Sequence, residues 1–215
     1  MPQILKVSSW ESALSETRKV LKAGGIIAFP TDTFYGLGVD PYNRIAVDKI
    51  YEIKGRDSEK PLLLLIDSVS KLETLVEEPS AACIKLMQAF WPGPLTLLFK
   101  PKPSSIHENI TADLIGIRQP GNPITQKVLS ALDHPLTAPS ANISGGTPAT
   151  TAQQVLDTFG EKIELILDAG ECKGGKPSTL INATDTPARL IRAGAIDFEA
   201  IQECLKGCLQ TQESL

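Results

Sequence analysis

Histidine and cysteine are scarce. The 215-residue chain holds two histidines and four cysteines. The cysteines stand at 83, 172, 204 and 208. No pair has C-x-x-C spacing, which excludes zinc-ribbon and thioredoxin-like readings. They are expected to be reduced, mostly buried thiols of a cytosolic protein. Neither His107 nor His134 lies in a nucleophile motif, and each is expected at the surface or in a turn. Long apolar runs are also missing. The longest, Leu62–Ile66, falls far short of the roughly 20 residues of a membrane span. Met1-Pro-Gln-Ile-Leu-Lys6 has no apolar h-region, so no signal peptide is expected, and the expected location is cytoplasmic, with no membrane partner. Charge of one sign is lacking too: 21 basic against 25 acidic residues give a net charge of −4. That excludes broad, salt-dependent adhesion to nucleic acid but leaves room for a local basic cleft. There is no internal repeat and no low-complexity linker.

What remains is ordinary for a globular domain: 42% hydrophobic and 21% charged residues. The length gives one to two domains at roughly 150 residues each. A single domain over 1–215 is expected, with a core of about 10–197 and a C-terminal helix and tail at 198–215. Such a chain can bury a core without disulfides or metal. Periodicity predicts helices over Ser9–Lys22, Asn43–Lys54, Ala81–Phe90, Pro123–Leu132, Thr151–Phe159 and Phe198–Leu209. In the second of these Ile45, Val47, Ile50 and Ile53 are expected to face inward. Strands are predicted over Gly25–Phe29, Leu62–Ile66, Leu95–Phe99, Leu114–Arg118, Leu136–Ala138, Ile163–Asp168, Thr179–Ala183 and Arg189–Arg192. The Lys100–Ser105 stretch reads as a loop and the polar tail Gln210–Leu215 as frayed. The alternation points to an α/β or α+β fold with a twisted mixed β-sheet flanked by helices.

Polar clusters follow the predicted strands, where ligands collect in open α/β sheets. Pro30-Thr-Asp-Thr-Phe-Tyr-Gly-Leu-Gly38 reads as a strand-exit turn capped by hydroxyls. It is no dinucleotide fingerprint, because Pro41 stands where the third glycine belongs. Lys54-Gly-Arg56 closes a helix, where cations complement the dipole. A point charge beside a two-pronged guanidinium also suits phosphate. Five basic residues between 44 and 60 alternate with four acidic ones, so this is no polybasic patch. Pro139-Ser-Ala-Asn-Ile-Ser-Gly-Gly146 offers small hydroxyls, an amide and backbone able to approach a ligand closely. Gly170-Glu-Cys-Lys-Gly-Gly-Lys-Pro177 nearly matches a P-loop. Pro177 replaces its hydroxyl, however, and the following Ser-Thr-Leu-Ile-Asn is strand-like, so the motif fails. With no triad candidate, these groups suit phosphoryl or nucleotidyl transfer by positioning and charge neutralisation.

Together these stretches resemble the YrdC/Sua5 family of threonylcarbamoyl-AMP synthases, from about Val20 to Ile196. The resemblance is carried by Phe29-Pro-Thr-Asp-Thr-Phe-Tyr-Gly-Leu-Gly38, Lys54-Gly-Arg56, Trp91-Pro-Gly-Pro-Leu-Thr96 and Ile117-Arg118-Gln-Pro120. It continues through Ala138-Pro-Ser-Ala-Asn-Ile-Ser-Gly145, Pro177-Ser-Thr179 and Leu190-Ile-Arg-Ala-Gly-Ala-Ile196. It implies a large concave cleft and the ATP-dependent conversion of L-threonine and bicarbonate to threonylcarbamoyl-AMP and pyrophosphate. Mg²⁺ would accompany ATP, with no metal site of the protein's own. The product would serve the t6A modification of tRNA, with tRNA and a transferring enzyme complex as partners. By the resemblance Lys54 and Arg56 are catalytic and bind nucleotide, with Ser140, Asn142 and Arg192. Thr31, Arg118, Ala138 and Ser178 surround the threonine. Two positions depart from the pattern: Leu65 stands where many members carry histidine, and Ala193 replaces the proline usual in Arg-Pro-Gly. The chain also ends soon after this motif, which resembles the short, single-domain form. Two alternatives stand beside the synthase. One is a divergent paralogue with another substrate, which Leu65 favours; the other is a non-catalytic RNA-binding module.

Overall fold

A computed structural model describes residues 1–6, 10–103, 106–108, 110 and 113–209, with the side chains of 207–209 excepted. The expected helix start at Ser9, the end of the loop at Ser104 and Ser105, the tail Gln210–Leu215 and the Cys208 thiol lie outside the described residues.

The strands form two mixed sheets rather than one. The first joins β1 (Gln3–Lys6), β2 (Ile27–Pro30), β3 (Tyr35–Gly38) and β8 (Leu165–Asp168) in the order β1-β8-β2-β3. The second joins β4 (Leu64–Leu65), β5 (Leu95–Phe99), β6 (Ile115–Arg118), β7 (Leu136–Thr137), β9 (Thr179–Asn182) and β10 (Arg189–Arg192). Its order is β10-β9-β5-β6-β4-β7. The sheets are stitched together where β3 meets the end of β7. There the Leu37 amide donates to the Pro139 carbonyl (2.9 Å), and the Ala141 amide to that of Tyr35 (2.8 Å).

Because side chains alternate along a strand, an unbroken apolar run feeds two cores. Ile26 and Ala28 enter the larger core, while Ile27 and Phe29 enter the smaller one beneath the helix α1 (Trp10–Lys22). Ile166 and its neighbours Leu165 and Leu167 divide the same way. The second sheet has a different back. Leu95, Leu97, Phe99, Ile115, Ile117 and Ile181 pack into the larger core, which turns Thr96, Leu98, Gly116, Arg118 and Leu180 to the opposite face.

The helix α2 (Arg44–Lys54) buries Ala46, Val47, Ile50, Tyr51 and Lys54. This corrects the expected inward set, since Ile45 is 71% exposed. At 100° per residue the stripe through Ala46, Ile50 and Lys54 passes Ile45 by. A lysine therefore ends the apolar stripe. Asn43 caps the helix, its side chain accepting from the Ala46 amide (3.1 Å). Gly55, at φ +56°, takes the left-handed turn that ends it.

The helices α4 (Ala81–Phe90), α5 (Pro123–Ser130), α6 (Ala152–Phe159) and α7 (Phe198–Leu209) follow the expected periodicity, apart from trimmed ends at α5 and α6. Four elements lie outside the expected set: β1, β3, the short helix α3 (Val69–Leu75) and the 3-10 turn Gly160–Lys162. The stretch read as a strand-exit turn is instead a hairpin. Only Thr31–Phe34 turns, and Tyr35–Gly38 runs back antiparallel to β2.

Candidate functional site

A cavity of about 460 Å³ opens over the free face of the second sheet. The β-strand alternation supplies its floor: Thr96 and Leu98 from β5, Gly116 and Arg118 from β6, Leu180 from β9, Leu65 from β4. Of the nine candidate residues, Thr31, Arg56, Arg118, Ala138, Ser140, Ser178 and Arg192 line it. They come from six separate stretches of chain.

Lys54 and Asn142 are not among the lining residues; they stand behind the wall. Lys54 is 2% exposed. Its Nζ donates to the Ser140 carbonyl (2.5 Å) and the Asn142 carbonyl (2.6 Å), while its own carbonyl accepts from the Ser144 amide (2.8 Å). The Asn142 amide donates to the carbonyls of Ile143 (2.7 Å) and Gly146 (2.8 Å), and its Oδ1 accepts from the Ser140 hydroxyl (2.6 Å). Lys54 thus fixes the Ser140–Gly146 loop through its backbone, and Asn142 ties the loop to itself. Burial pushes the Lys54 ammonium down to about 8, with the Arg56 charge adding to the effect.

The guanidinium of Arg56 is held at the cavity rim. Its Nε donates to the Lys60 carbonyl (3.0 Å) and its Nη2 to that of Pro61 (3.1 Å). Arg118 lies deeper, 4% exposed, with Nε donating to the Gly93 carbonyl (3.0 Å) and Nη2 in an ion pair with Asp32. Burial pulls Arg118 below the ordinary guanidinium value, and the charge of Arg192 adds to this. The Asp32 carboxylate, its ion-pair partner, offsets part of that buried charge. Burial, then the nearby Arg56, lowers Arg192 as well. The mutual influence of the three arginines marks a concentrated positive field.

Ser178 connects two of these groups. Its hydroxyl lies 2.8 Å from Thr96 Oγ1, and Arg192 Nη2 donates to both its carbonyl (2.9 Å) and its Oγ (3.0 Å). Gly194 lets Arg192 come this close. A Cβ there would lie 2.3 Å from the Thr179 nitrogen and 2.4 Å from the Pro177 carbonyl oxygen. The Thr31 hydroxyl donates to the Phe34 carbonyl (2.7 Å) and closes the hairpin turn. Its role at the cavity and its role in the turn coincide.

Sequence reasoning missed Asp32 and Thr96. Asp32 sits inside a recognised stretch, but its partner Arg118 is 86 residues away, and no local spacing reveals that pairing. Thr96 closes another recognised stretch and was read only as part of it. Neither histidine lines the cavity. The expectation of a surface or turn position fails for His107, which is 3% exposed, with Nε2 3.0 Å from Asp48. Cys83 and Cys172 are buried thiols, as expected. The glycine-rich stretch after β8 leads into the strand β9 and not into a helix, as the rejection of a P-loop requires.

Three guanidinium groups gathered over the floor of a sheet, beside a lysine-clamped loop, define an α/β protein with a cationic ligand cleft. The chain belongs to the Sua5/YciO/YrdC family, whose model, described as "Telomere recombination", matches residues 19–194. It is 40% identical over 187 residues to the threonylcarbamoyl-AMP synthase of Pyrococcus abyssi, covering 86% of this chain and 55% of that protein. It is 36% identical over 199 residues to the Bacillus subtilis threonylcarbamoyl-AMP synthase, covering 92% of this chain and 58% of that one. The crystal structure of P. abyssi Sua5 complexed with L-threonine superposes with a TM-score of 0.89 at 35% identity, over 96% of this chain and 61% of that one. The chain therefore spans a little over half the length of these curated relatives. Among the described residues no helix is long and apolar enough to cross a membrane.

Proposed function

We propose that this protein is a threonylcarbamoyl-AMP synthase, a nucleotidyltransferase. The observation that supports this best is that one cavity is lined by both kinds of group. Arg56, Ser140 and Arg192 line it beside the loop clamped by Lys54, which suits a polyphosphate. Thr31, Arg118, Ala138 and Ser178 meet over the sheet floor beside Leu63 and Leu65. That suits a small amino acid with a carboxylate and a methyl group.

The amine of L-threonine and bicarbonate give a carbamate and water. A carbamate oxygen then attacks the α-phosphorus of ATP, and the bond from that phosphorus to the pyrophosphate oxygen breaks. Arg118 holds the amino-acid carboxylate. Arg56 and Arg192 offset the charge of the phosphates and of the leaving pyrophosphate. Lys54 acts on the nucleotide through the loop it fixes. No protein nucleophile is required. Among the described residues no group of three His, Cys, Asp or Glu side chains could hold a metal ion. Mg²⁺ would enter with the substrate as MgATP, where it shields the phosphates. We infer a cytoplasmic protein whose product is passed to the machinery that forms t6A on tRNA.

The test is pyrophosphate release from ATP with Mg²⁺ and bicarbonate, with and without L-threonine, and with serine and glycine as controls. Release that requires both threonine and bicarbonate is expected. Folded protein that releases none would overturn the assignment. Release with another amine in place of threonine would favour the divergent paralogue. Leu65 is the feature behind that second reading. It is buried in the cavity floor, paired in register with Arg118, and offers the substrate only methyl groups.

A further inference from the structure

Thr96 was given no role by the sequence, yet it sits at the base of the cavity, 1% exposed. It faces Leu180 across the β5–β9 pair. Its hydroxyl bonds to the Ser178 hydroxyl at 2.8 Å. That hydroxyl in turn accepts from Arg192 Nη2 at 3.0 Å. The two hydroxyls therefore carry two protons between them, and one of these fills the bond that joins them. Arg192 has no lone pair to accept the other. Among the described residues neither oxygen makes a further hydrogen bond. One O–H is left over, and both residues line the cavity.

Two arrangements are open to an empty site. Ser178 donates to Thr96 and Thr96 turns its proton to the cavity, or Thr96 donates to Ser178 and Ser178 does so. An anionic oxygen entering the cavity decides between them. It is drawn to Arg192, which lies against Ser178, so it meets the Ser178 proton and the guanidinium together. In that arrangement Ser178 Oγ accepts from both Thr96 and Arg192. Both lone pairs are filled, and the hydroxyl acts only as a donor.

We propose that Thr96 is a substrate-positioning residue: it fixes the Ser178 hydroxyl as an obligate donor to a carboxylate or carbamate oxygen of the amino-acid substrate. The proposal rests on reading this end of the cavity as the amino-acid site. It makes Thr96 selective for an oxygen anion over an ammonium or amide N–H at that point, because neither could satisfy a hydroxyl with no acceptor to offer.

The experiment compares Thr96→Val, which keeps the shape, with Thr96→Ser, which keeps the hydroxyl. Thr96→Val is expected to raise KM for threonine about tenfold, the usual cost of a hydrogen bond to a charged group, and to raise KM for ATP by a clearly smaller factor. Thr96→Ser is expected to restore wild-type behaviour. Adding Thr96→Val to Ser178→Ala should cost nothing more, because both remove one device. A structural role alone would not separate the two KM values in this way. Unchanged threonine KM in Thr96→Val, no rescue by serine, or additive losses would each overturn the proposal. A second readout needs no substrate: the NMR resonances of the Arg192 guanidinium in the free protein. They should shift in Thr96→Val and return in Thr96→Ser; if they stay in place the coupling is refuted. Wild-type protein inactive with threonine would refute the functional reading separately, while these resonances still report on the coupling.

Discussion

Asp32 and Arg118 form an ion pair that joins the hairpin turn of the first sheet to the strand β6 of the second. Their side chains are 19% and 4% exposed. The same guanidinium donates through Nε to the Gly93 carbonyl, so three recognised stretches of sequence meet at one residue. Arg118 thus reaches the cavity with its orientation already set, which lowers the cost of ordering it on binding.

Asp32→Ala should therefore act at two levels. It leaves a buried cation without its partner, a loss of about 3 kcal/mol or more. It also frees Arg118 to swing, so threonine affinity should fall. Urea denaturation and threonine titration of Asp32→Ala and Asp32→Asn check this. A stability equal to wild type in both variants would show that the pair contributes nothing.

Lys54 and Arg56 should separate although only one residue lies between them. Arg56→Ala removes a half-exposed group at the rim and is expected to cut turnover with little change in Tm. Lys54→Ala empties the end of a buried stripe, leaves the Asn142 carbonyl without a donor and leaves the Ser140 carbonyl only the Asn142 amide. It should cut turnover and also cost about 2 kcal/mol of stability. Calorimetric Tm measured beside pyrophosphate release distinguishes the two. Equal Tm losses would refute the clamp.

Lys54 also predicts a pH dependence. Its folded value is about 8 against an ordinary 10.5, so between those values the unfolded chain holds more protons at this site. The group's contribution to stability therefore rises with pH across that window and is lost as pH falls through about 8. Nucleotide binding should go the other way. Above about pH 8 the ammonium loses its charge and the loop its charged clamp, so ATP affinity should fall with the loss of one proton. Calorimetric titrations of ATP between pH 6.5 and 9.5 check this, with Lys54→Met as a control expected to be flat.

Gly194→Ala is expected to disrupt the Ser178 end of the cavity. The new Cβ would lie 2.3 Å from the Thr179 nitrogen and 2.5 Å from the Ser178 carbonyl carbon, so the backbone of one segment must move. Threonine-dependent turnover should drop at least tenfold, about 1.4 kcal/mol. ATP binding at the Arg56 rim should change less. Steady-state kinetics with each substrate varied in turn provides the check.

Much of the fold was legible because local periodicity follows from local geometry. The apolar runs of β2, β5 and β9 and the stripes of α1 and α6 state their own secondary structure. The elements that were missed have little local signal. β1 takes its strand form by pairing in parallel with β8, more than 150 residues away. β3 is rich in glycine, and its antiparallel partner β2 makes it a strand. For Ile45, spacing pointed inward, and the packing of Ala46 and Ile50 turned it to the outside.

The sequence by itself determined the family, the alternation of strands and helices, and the chemical inventory: arginines and small hydroxyls with almost no histidine. These follow from residue identity and order. Only the tertiary structure decided which of those groups face the ligand. Lys54 and Asn142 belong to the same motifs as Arg56 and Ser140, yet packing turns them behind the wall, while Thr96 comes to the floor. A strand fixes merely that neighbours point to opposite faces. Which face becomes core and which becomes cavity depends on what the rest of the chain packs against it.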